Sequence, residues 1–412
     1  MTTSAQSVVS VLDKSEKQVD KKMRVLWLAN YPLLQNHKGH PASWMTSLAQ
    51  VLQHHVSLTI VTWNSSINAS TQIQKDGINY IYLKSPRGSI DLLTGCLLKI
   101  NQLKSYLKQH EQEFDIIHIH GSENQFLAAC ASIDKPKVLS IQGIISEYYK
   151  IIPEFLSYRR FYWLLASYYE RSHCRRLPSF MCRTHWDTAW VNQLNPQAIV
   201  HQVWEMIRPV FFTVNNDFSR NEKLLYVGGA QRIKGFNELL LTFNLVKAQH
   251  PAMKLIILGA KPSSLSSVEK FIQKQNLTNI SLADLEFRGM VNGQGLIEAY
   301  NESFCLVHPS YIDNSPNSVC EAQVAGLPVV ASNVGGVSSL IEHSQTGLLT
   351  TLDPSDIAHQ ILRLKSDTDL AKIISHQSRF VARQRHNPNQ IKQAVLNTYQ
   401  SVCNVYKSEV SV

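Results

Sequence analysis

The residues best placed to do chemistry lie in one run, Tyr311-Ile312-Asp313-Asn314-Ser315-Pro316-Asn317-Ser318-Val319-Cys320-Glu321-Ala322. It follows a short apolar stretch, Cys305 to Pro309, that reads as a strand, and it enters a helix beginning near Ser318. Asp313 falls on the loop and Glu321 about a turn inside the helix, eight residues on. The Asn, Ser and Pro residues between them leave amide N–H groups free at a helix N-terminus, a natural seat for an anion. Carboxylates that accept protons from hydroxyls, beside amides that hold phosphate, suit a sugar nucleotide. Taken alone, the run serves equally well as an N-capping loop with Glu321 as a buried structural acid. A second cluster, Gly228-Gly229-Ala230-Gln231-Arg232-Ile233-Lys234-Gly235, ends another apolar run and carries two cations toward a helix N-terminus. Glycine lets a ligand approach the backbone, and Lys and Arg neutralise phosphate. The loop matches neither G-x-G-x-x-G nor G-x-x-x-x-G-K-[ST], and a glycine turn with a surface lysine is common.

Such residues need strands to hold them at one edge. Met23 to Asn30, Val56 to Trp63, Asn79 to Leu83, Asp115 to His120 and Pro136 to Gln142 read as buried strands, with helical stretches at Ser43 to His54 and Leu92 to Gln112. The pattern restarts with strands at Lys223 to Gly228, Met253 to Gly259, Leu285 to Gly289, Cys305 to Pro309 and Leu327 to Ala331, and helices at Phe236 to His250 and Ser266 to Gln275. This α/β alternation predicts two doubly wound domains. The expected division is a disordered leader over 1–22, a first domain over 23–208, a linker over 209–222, a second domain over 223–387, and a crossover helix and tail over 388–412. In open α/β sheets ligands gather beyond the carboxyl ends of the strands, so two facing domains enclose a cleft.

Composition narrows the classes. With 412 residues, 44% hydrophobic and 17% charged, the chain is neither disordered nor fibrous. No run approaches 18 apolar residues and the start lacks a signal-peptide core, so a cytoplasmic location is expected. Seven cysteines without a C-x-x-C pair argue for reduced thiols, and no His, Asp and Cys spacing suggests a metal. Residues 1–210 carry +7 of the formal +9. The densest part, Tyr158 to Arg176, interleaves Arg159, Arg160, Arg171, Arg175 and Arg176 with aromatic rings, which fits an anionic membrane surface, a phosphate-bearing acceptor, or a helix with one aromatic and one solvated face. No nucleic-acid module accompanies it, and nucleic acid is not expected as a partner.

With both motifs in view, residues 23–405 resemble the retaining glycosyltransferases of family 4, which have the GT-B fold. Asp313 to Gly336 looks like that family's E-x7-E segment with its helix, A-x-G-x-P-V-V strand and glycine turn. Gly228 to Gly235 resembles its G-R-x-x-x-x-K-G phosphate loop, and Arg183-Thr184-His185-Trp186-Asp187 an R-T-x-W-D stretch of bacterial members that build polysaccharides. The resemblance implies that Glu321 binds the donor ribose and Asp313 a donor-sugar hydroxyl, with Asn314 and Ser315 offering backbone amides near that sugar or the phosphate. It implies Lys234 on the diphosphate, Gly228 and Gly229 under the nucleotide, the backbone of Arg288, Gly289 and Met290 at the base, and His120 facing the reaction centre from the first domain. Three positions depart from the pattern. The first carboxylate is Asp. The loop arginine is Gly229, so Arg232 takes its charge or fewer cations hold the diphosphate. After the first strand only Gly39 of the usual double glycine remains, with Trp44 nearby shaping an acceptor site.

The activity so implied transfers a sugar with retention from a nucleotide diphosphate sugar to a saccharide or lipid-linked acceptor, peripheral to the inner membrane face, with neither cofactor nor metal. The expected catalytic groups are His120, Asp313, Lys234 and Arg232. Rival readings are a nicotinamide-dependent dehydrogenase, opposed by the lack of G-x-G-x-x-G after the first strand, and a non-catalytic GT-B binding protein.

Overall fold

The structure is a computed structural model that describes residues 22–34, 43–152, 156–214 and 217–410. The first domain contributes strands β1 (Arg24–Leu28), β2 (Ser57–Asn64), β3 (Thr71–Lys75), β4 (Ile78–Lys84), β5 (Ile116–His120), β6 (Lys137–Ser140), β7 (Ser179–Cys182) and β8 (Ile199–Gln202). The second contributes β9 (Lys223–Val227), β10 (Lys254–Leu258), β11 (Leu285–Gly289), β12 (Cys305–His308), β13 (Val329–Ser332) and β14 (Leu348–Thr350). The sheets run β3-β4-β2-β1-β5-β6-β7-β8 and β11-β10-β9-β12-β13-β14. Every pairing is parallel except β3 with β4. Parallel strands covered on both faces must be apolar throughout, and β1 (RVLWL) and β10 (KLIIL) are, with all but their first residues buried.

In each sheet the order reverses once, between β1 and β5 and between β9 and β12. Those are the switch points where neighbouring strands send their connections to opposite faces and leave a crevice. The loops after β9 and β12 carry the two motifs singled out in the sequence.

Two connections join the domains. The outgoing chain leaves β8 at Gln202, earlier than the predicted linker, and Ile207, Phe211, Val214 and Phe218 anchor it in the second domain's core. The returning chain forms the helix Pro388–Val410, as the pattern predicts. Its Ile391, Val395, Tyr399 and Val402 pack in the first domain's core, and the Tyr399 hydroxyl meets Trp27 Nε1 at 2.9 Å and His118 Nδ1 at 2.8 Å. The predicted helix over Leu92 to Gln112 is two helices, Gly88–Leu93 and Leu97–His110, because Gly95 and Cys96 both take positive φ (60° and 65°). The leader and Gly39 lie outside the described residues.

Candidate active site

The cleft holds a cavity of about 460 Å³ where the β9 and β12 loops face Trp44, Gln142 and Arg183 of the first domain. On the second-domain side, Ser315 to Ser318 bring the N-terminus of the helix Asn317–Ala325 to the wall, opposite Gly228 and Gly229. Unpaired amides and the helix dipole favour an anion there.

Both carboxylates reach this cavity, each beside a cation. Lys234 Nζ lies 2.6 Å from Asp313 Oδ2, with His308 Nε2 at 3.1 Å from the same oxygen and the Tyr148 hydroxyl 3.4 Å from Oδ1. Burial pushes the Asp313 carboxyl up, but Lys234 and His308 overcome it and hold the group well below the usual carboxylate range. Glu321 differs. Arg208, from the outgoing connection, donates from Nε (3.1 Å) and Nη2 (2.7 Å) to its Oε1. Burial nevertheless dominates and raises the Glu321 carboxyl above its ordinary value. One carboxylate is therefore firmly ionised, and the other titrates closer to neutrality.

The structure sorts the other predicted residues. Gly228, Gly229, Lys234, Gly289, Met290, Asp313, Ser315, Glu321 and Trp44 line the cavity. Arg232 does not. It is exposed because the single 3₁₀ turn Arg232–Lys234 aims residues two apart to different sides, so the loop delivers one cation. The Arg288 side chain is also turned away, paired with Glu286 (2.5 Å) and Glu302 (2.7 Å), leaving the strand end at Gly289 and Met290 to face the cleft. His120 is buried behind Trp44, with ring centroids 6.0 Å apart, and does not line the cavity. Burial, then the charges of His118 and Arg183, keep it neutral, and among the described residues neither ring nitrogen has a hydrogen-bond partner.

Asn314 is fully buried and joins the domains. Its Oδ1 accepts from Thr184 Oγ1 (2.6 Å) and its Nδ2 donates to Asp187 Oδ2 (2.8 Å). Thr184 and Asp187 form the capping box of the helix His185–Leu194, so groups that fix a helix start in one domain also receive the other domain. No side chain fits at Gly336 here: a Cβ would stand 2.3 Å from Asn314 O and 2.6 Å from Thr184 Oγ1. Beside this contact, buried Glu205, Cys320 and His386 gather closely enough to suggest a metal site. All of their ligand atoms but Glu205 Oε2 are already hydrogen-bonded: Cys320 Sγ donates to Glu205 Oε1 (2.9 Å), His386 Nδ1 meets the Glu205 carbonyl (2.9 Å), and Arg385 Nε donates to His386 Nε2 (3.1 Å). With Arg183 and Arg385 adjacent, the trio ties the two interdomain connections together and is unsuited to a cation.

Arg183, Arg208, Tyr148, Asp187, Glu205 and His308 were not assigned roles from sequence. The R-T-x-W-D stretch pointed to Arg183 and Asp187, and the strand end CLVHP to His308; no local signal marks Arg208 or Glu205.

Two doubly wound parallel-sheet domains facing across one cleft, with the last helix returning to the first domain, define the chain as a GT-B protein. Residues 221–367, most of its second domain, match the model of the Glycosyl transferases group 1 family. Sucrose-phosphate synthase from Thermosynechococcus elongatus superposes with a TM-score of 0.76 at 17% identity, covering 93% of this chain and 100% of that one. HepE from Anabaena in complex with UDP and glucose gives 0.67 at 16%, covering 92% and 100%. The D-inositol 3-phosphate glycosyltransferase of Paenarthrobacter aurescens is 31% identical over 148 residues, 35% of each chain. The capsular polysaccharide biosynthesis glycosyltransferase CapM of Staphylococcus aureus is 26% identical over 157 residues, 37% of this chain and 39% of its own. The matched segments thus span little more than a third of these two relatives.

Proposed function

We propose that the protein is a retaining glycosyltransferase that moves a sugar from a nucleoside diphosphate sugar to a saccharide or lipid-linked acceptor in polysaccharide or glycoconjugate assembly. The observation that carries this reading is the meeting, in one cavity, of a helix N-terminus, the glycine loop with Lys234, and the two carboxylates of Asp313 and Glu321. HepE, of the same fold, binds UDP and UDP-glucose. Here Glu321 receives the ribose hydroxyls while Arg208 keeps it oriented, and Gly228, Gly289 and Met290 border the nucleoside. Lys234 and the amides of Ser315 to Ser318 take the negative charge that grows on the leaving diphosphate. Asp313 accepts from a hydroxyl of the transferred sugar. The acceptor hydroxyl attacks the face the diphosphate leaves, through an oxocarbenium-like state, with a phosphate oxygen taking its proton; no cofactor or metal enters this scheme.

The test is calorimetry and donor hydrolysis with UDP, GDP and ADP and their glucose and mannose sugars. One nucleoside diphosphate is expected to bind. Ribose binding needs the ionised Glu321, so affinity is full above its raised pKa and falls as pH drops through it. Glu321→Gln is expected to remove about 1.5–3 kcal/mol of nucleotide affinity and to flatten that pH dependence. Unchanged affinity in this variant, or no binding to any nucleotide by the wild type, defeats the reading.

The acceptor reading extends to a membrane surface. Among the described residues no helix is long and apolar enough to cross a bilayer. On the helix Tyr158–Cys174, Phe161, Leu164 and Tyr168 form an exposed stripe that Arg171 and Arg175 continue. The Tyr158 and Tyr169 hydroxyls tie this helix to Gly88 and Gly95, beside which Ile90, Leu93 (87% exposed), Leu97 and Leu98 also face solvent. Arg160 is drawn inward, donating to Ile152 O at 2.9 Å, so it leaves the predicted basic set. Sedimentation is expected to show binding to phosphatidylserine vesicles that weakens with salt, with Leu164→Ser, and with Arg159, Arg171, Arg175 and Arg176 changed to Gln, each Arg contributing about 1 kcal/mol. Equal binding to neutral vesicles, or none at low salt, returns this helix to a solvated face.

A further inference from the structure

Among the described residues, the Lys and Arg side chains that line the cavity are Lys234, Arg208 and Arg183. Lys234 is paired with Asp313, and Arg208 gives two hydrogen bonds to Glu321. Arg183 is only 6% exposed, yet its guanidinium makes no hydrogen bond among the described residues. It lies over the Trp44 ring, 4.8 Å from the centroid, and its nearest carboxylate oxygen, Glu205 Oε2, is 3.6 Å from Nε, too far for a hydrogen bond. The two form an ion pair without a hydrogen bond, and that oxygen accepts none from elsewhere among the described residues, since Ser315 and Cys320 both approach Oε1. A buried charge is normally both paired and hydrogen-bonded. This one is ion-paired but not hydrogen-bonded and lines the cavity wall, and a planar guanidinium with donors to spare suits two oxygens of a phosphate.

The side chain is held there by design of the local backbone. Arg183 directly follows β7, and its N–H donates to Asp187 Oδ2 at 2.9 Å, the carboxylate that caps the next helix and grips Asn314 across the cleft. Trp44 floors the guanidinium from the other side. The cation is therefore aimed by the same contact that sets the domains together.

The donor loop, meanwhile, is short of one cation. Position 229 is glycine with φ +62°, and a Cβ there would stand 3.0 Å from Gly259 O, so the backbone does not accept a larger residue without moving. Arg232 is exposed and does not reach the cavity. We propose that Arg183, reaching from the first domain, is the second cation on the donor's diphosphate, in place of an arginine in the glycine loop. Two consequences follow. The diphosphate is clamped between Lys234 of one domain and Arg183 of the other, and the donor is fully bound only when the domains stand as they do here. The inference rests on the donor reading above.

The experiment compares wild type, Arg183→Gln and Arg183→Lys for binding of UDP, GDP and ADP and of the parent nucleosides, and for hydrolysis of the matching sugar nucleotides. For the nucleoside diphosphate that binds wild type, Arg183→Gln is expected to lower affinity at least about tenfold while the parent nucleoside binds as before. Arg183→Lys, which keeps the charge and loses the fork, is expected to fall between. Nucleoside binding also reports that each variant is folded; if Arg183→Gln is not, Arg183→Lys decides alone. Unchanged diphosphate affinity and hydrolysis in the folded variants overturns the proposal, leaves the donor reading standing, and assigns the guanidinium to an acidic acceptor or to Glu205. Wild type binding none of the three diphosphates overturns both.

Discussion

Lys234→Ala is expected to lower donor turnover by about two to three orders of magnitude, the effect of removing a preorganised charged stabiliser worth about 2.7–4 kcal/mol in the transition state. The size follows from the site. Lys234 is the one cation the glycine loop delivers to the cavity, and it arrives beside the helix N-terminus that faces the leaving group. It also sustains Asp313: without the 2.6 Å ion pair, the buried carboxyl keeps His308 and the Tyr148 hydroxyl but no lysine beside it and becomes easier to protonate, which weakens its hold on the sugar hydroxyl. Loss is therefore expected in kcat and in kcat/KM together. Arg232→Ala, two residues away and pointing into solvent, is expected to be nearly silent. Steady-state hydrolysis and transfer assays check the pair, and equal losses in both variants, or a loss below about tenfold for Lys234→Ala, contradict the assignment.

That contrast marks where the sequence stops being readable. Arg232 and Lys234 are equivalent as letters in a glycine loop; only the 3₁₀ turn separates an inward side chain from an outward one. The central parallel strands were legible because burial on both faces demands unbroken apolar runs, as in KLIIL and IIHIH. The strand β3 was not, being an antiparallel edge with four of its five residues exposed, and β14 is only three residues long. The split at Gly95 and Cys96 was hidden inside an otherwise helical pattern.

For the site, local spacing carried Asp313 and Glu321 into view, since eight residues of loop and helix fix their relation. Their partners are not local. Arg208 is 113 residues from Glu321, and Asp187 is 127 from Asn314. Such pairs are chosen by how two domains meet, which no periodicity encodes. The same limit explains His120: its place at a strand end was visible, while the Trp44 ring in front of it was not. The backbone amide of Asn314 is what its place in the loop suggests for the donor; the bridge its side chain makes to Thr184 and Asp187 has no local signal, because the partner residues lie in the neighbouring domain.

That bridge supports the largest expected effect on stability. Asp187→Ala is expected to destabilise the folded chain by about 3–5 kcal/mol, as for breaking a buried polar network at one member. Asp187 is fully buried, and its two oxygens accept from Arg183 N (2.9 Å), Thr184 N (2.9 Å) and Asn314 Nδ2 (2.8 Å). Alanine leaves all three donors in a dry interior, each costing about 1–3 kcal/mol, though not additively, and the helix His185–Leu194 loses half of its capping box. Asp187→Asn rescues only in part, since an amide keeps one acceptor oxygen and turns its N–H groups toward one of the two backbone donors, Arg183 N or Thr184 N. Asn314→Ala removes the cross-domain contact but leaves both backbone donors satisfied, so its cost is expected to be smaller, while it frees the domains to separate. Urea unfolding measures the order Asp187→Ala, Asp187→Asn, Asn314→Ala. A loss below about 1 kcal/mol for Asp187→Ala would mean that water replaces the carboxylate at no cost, and the contact between the domains would then be no more than an exposed seam.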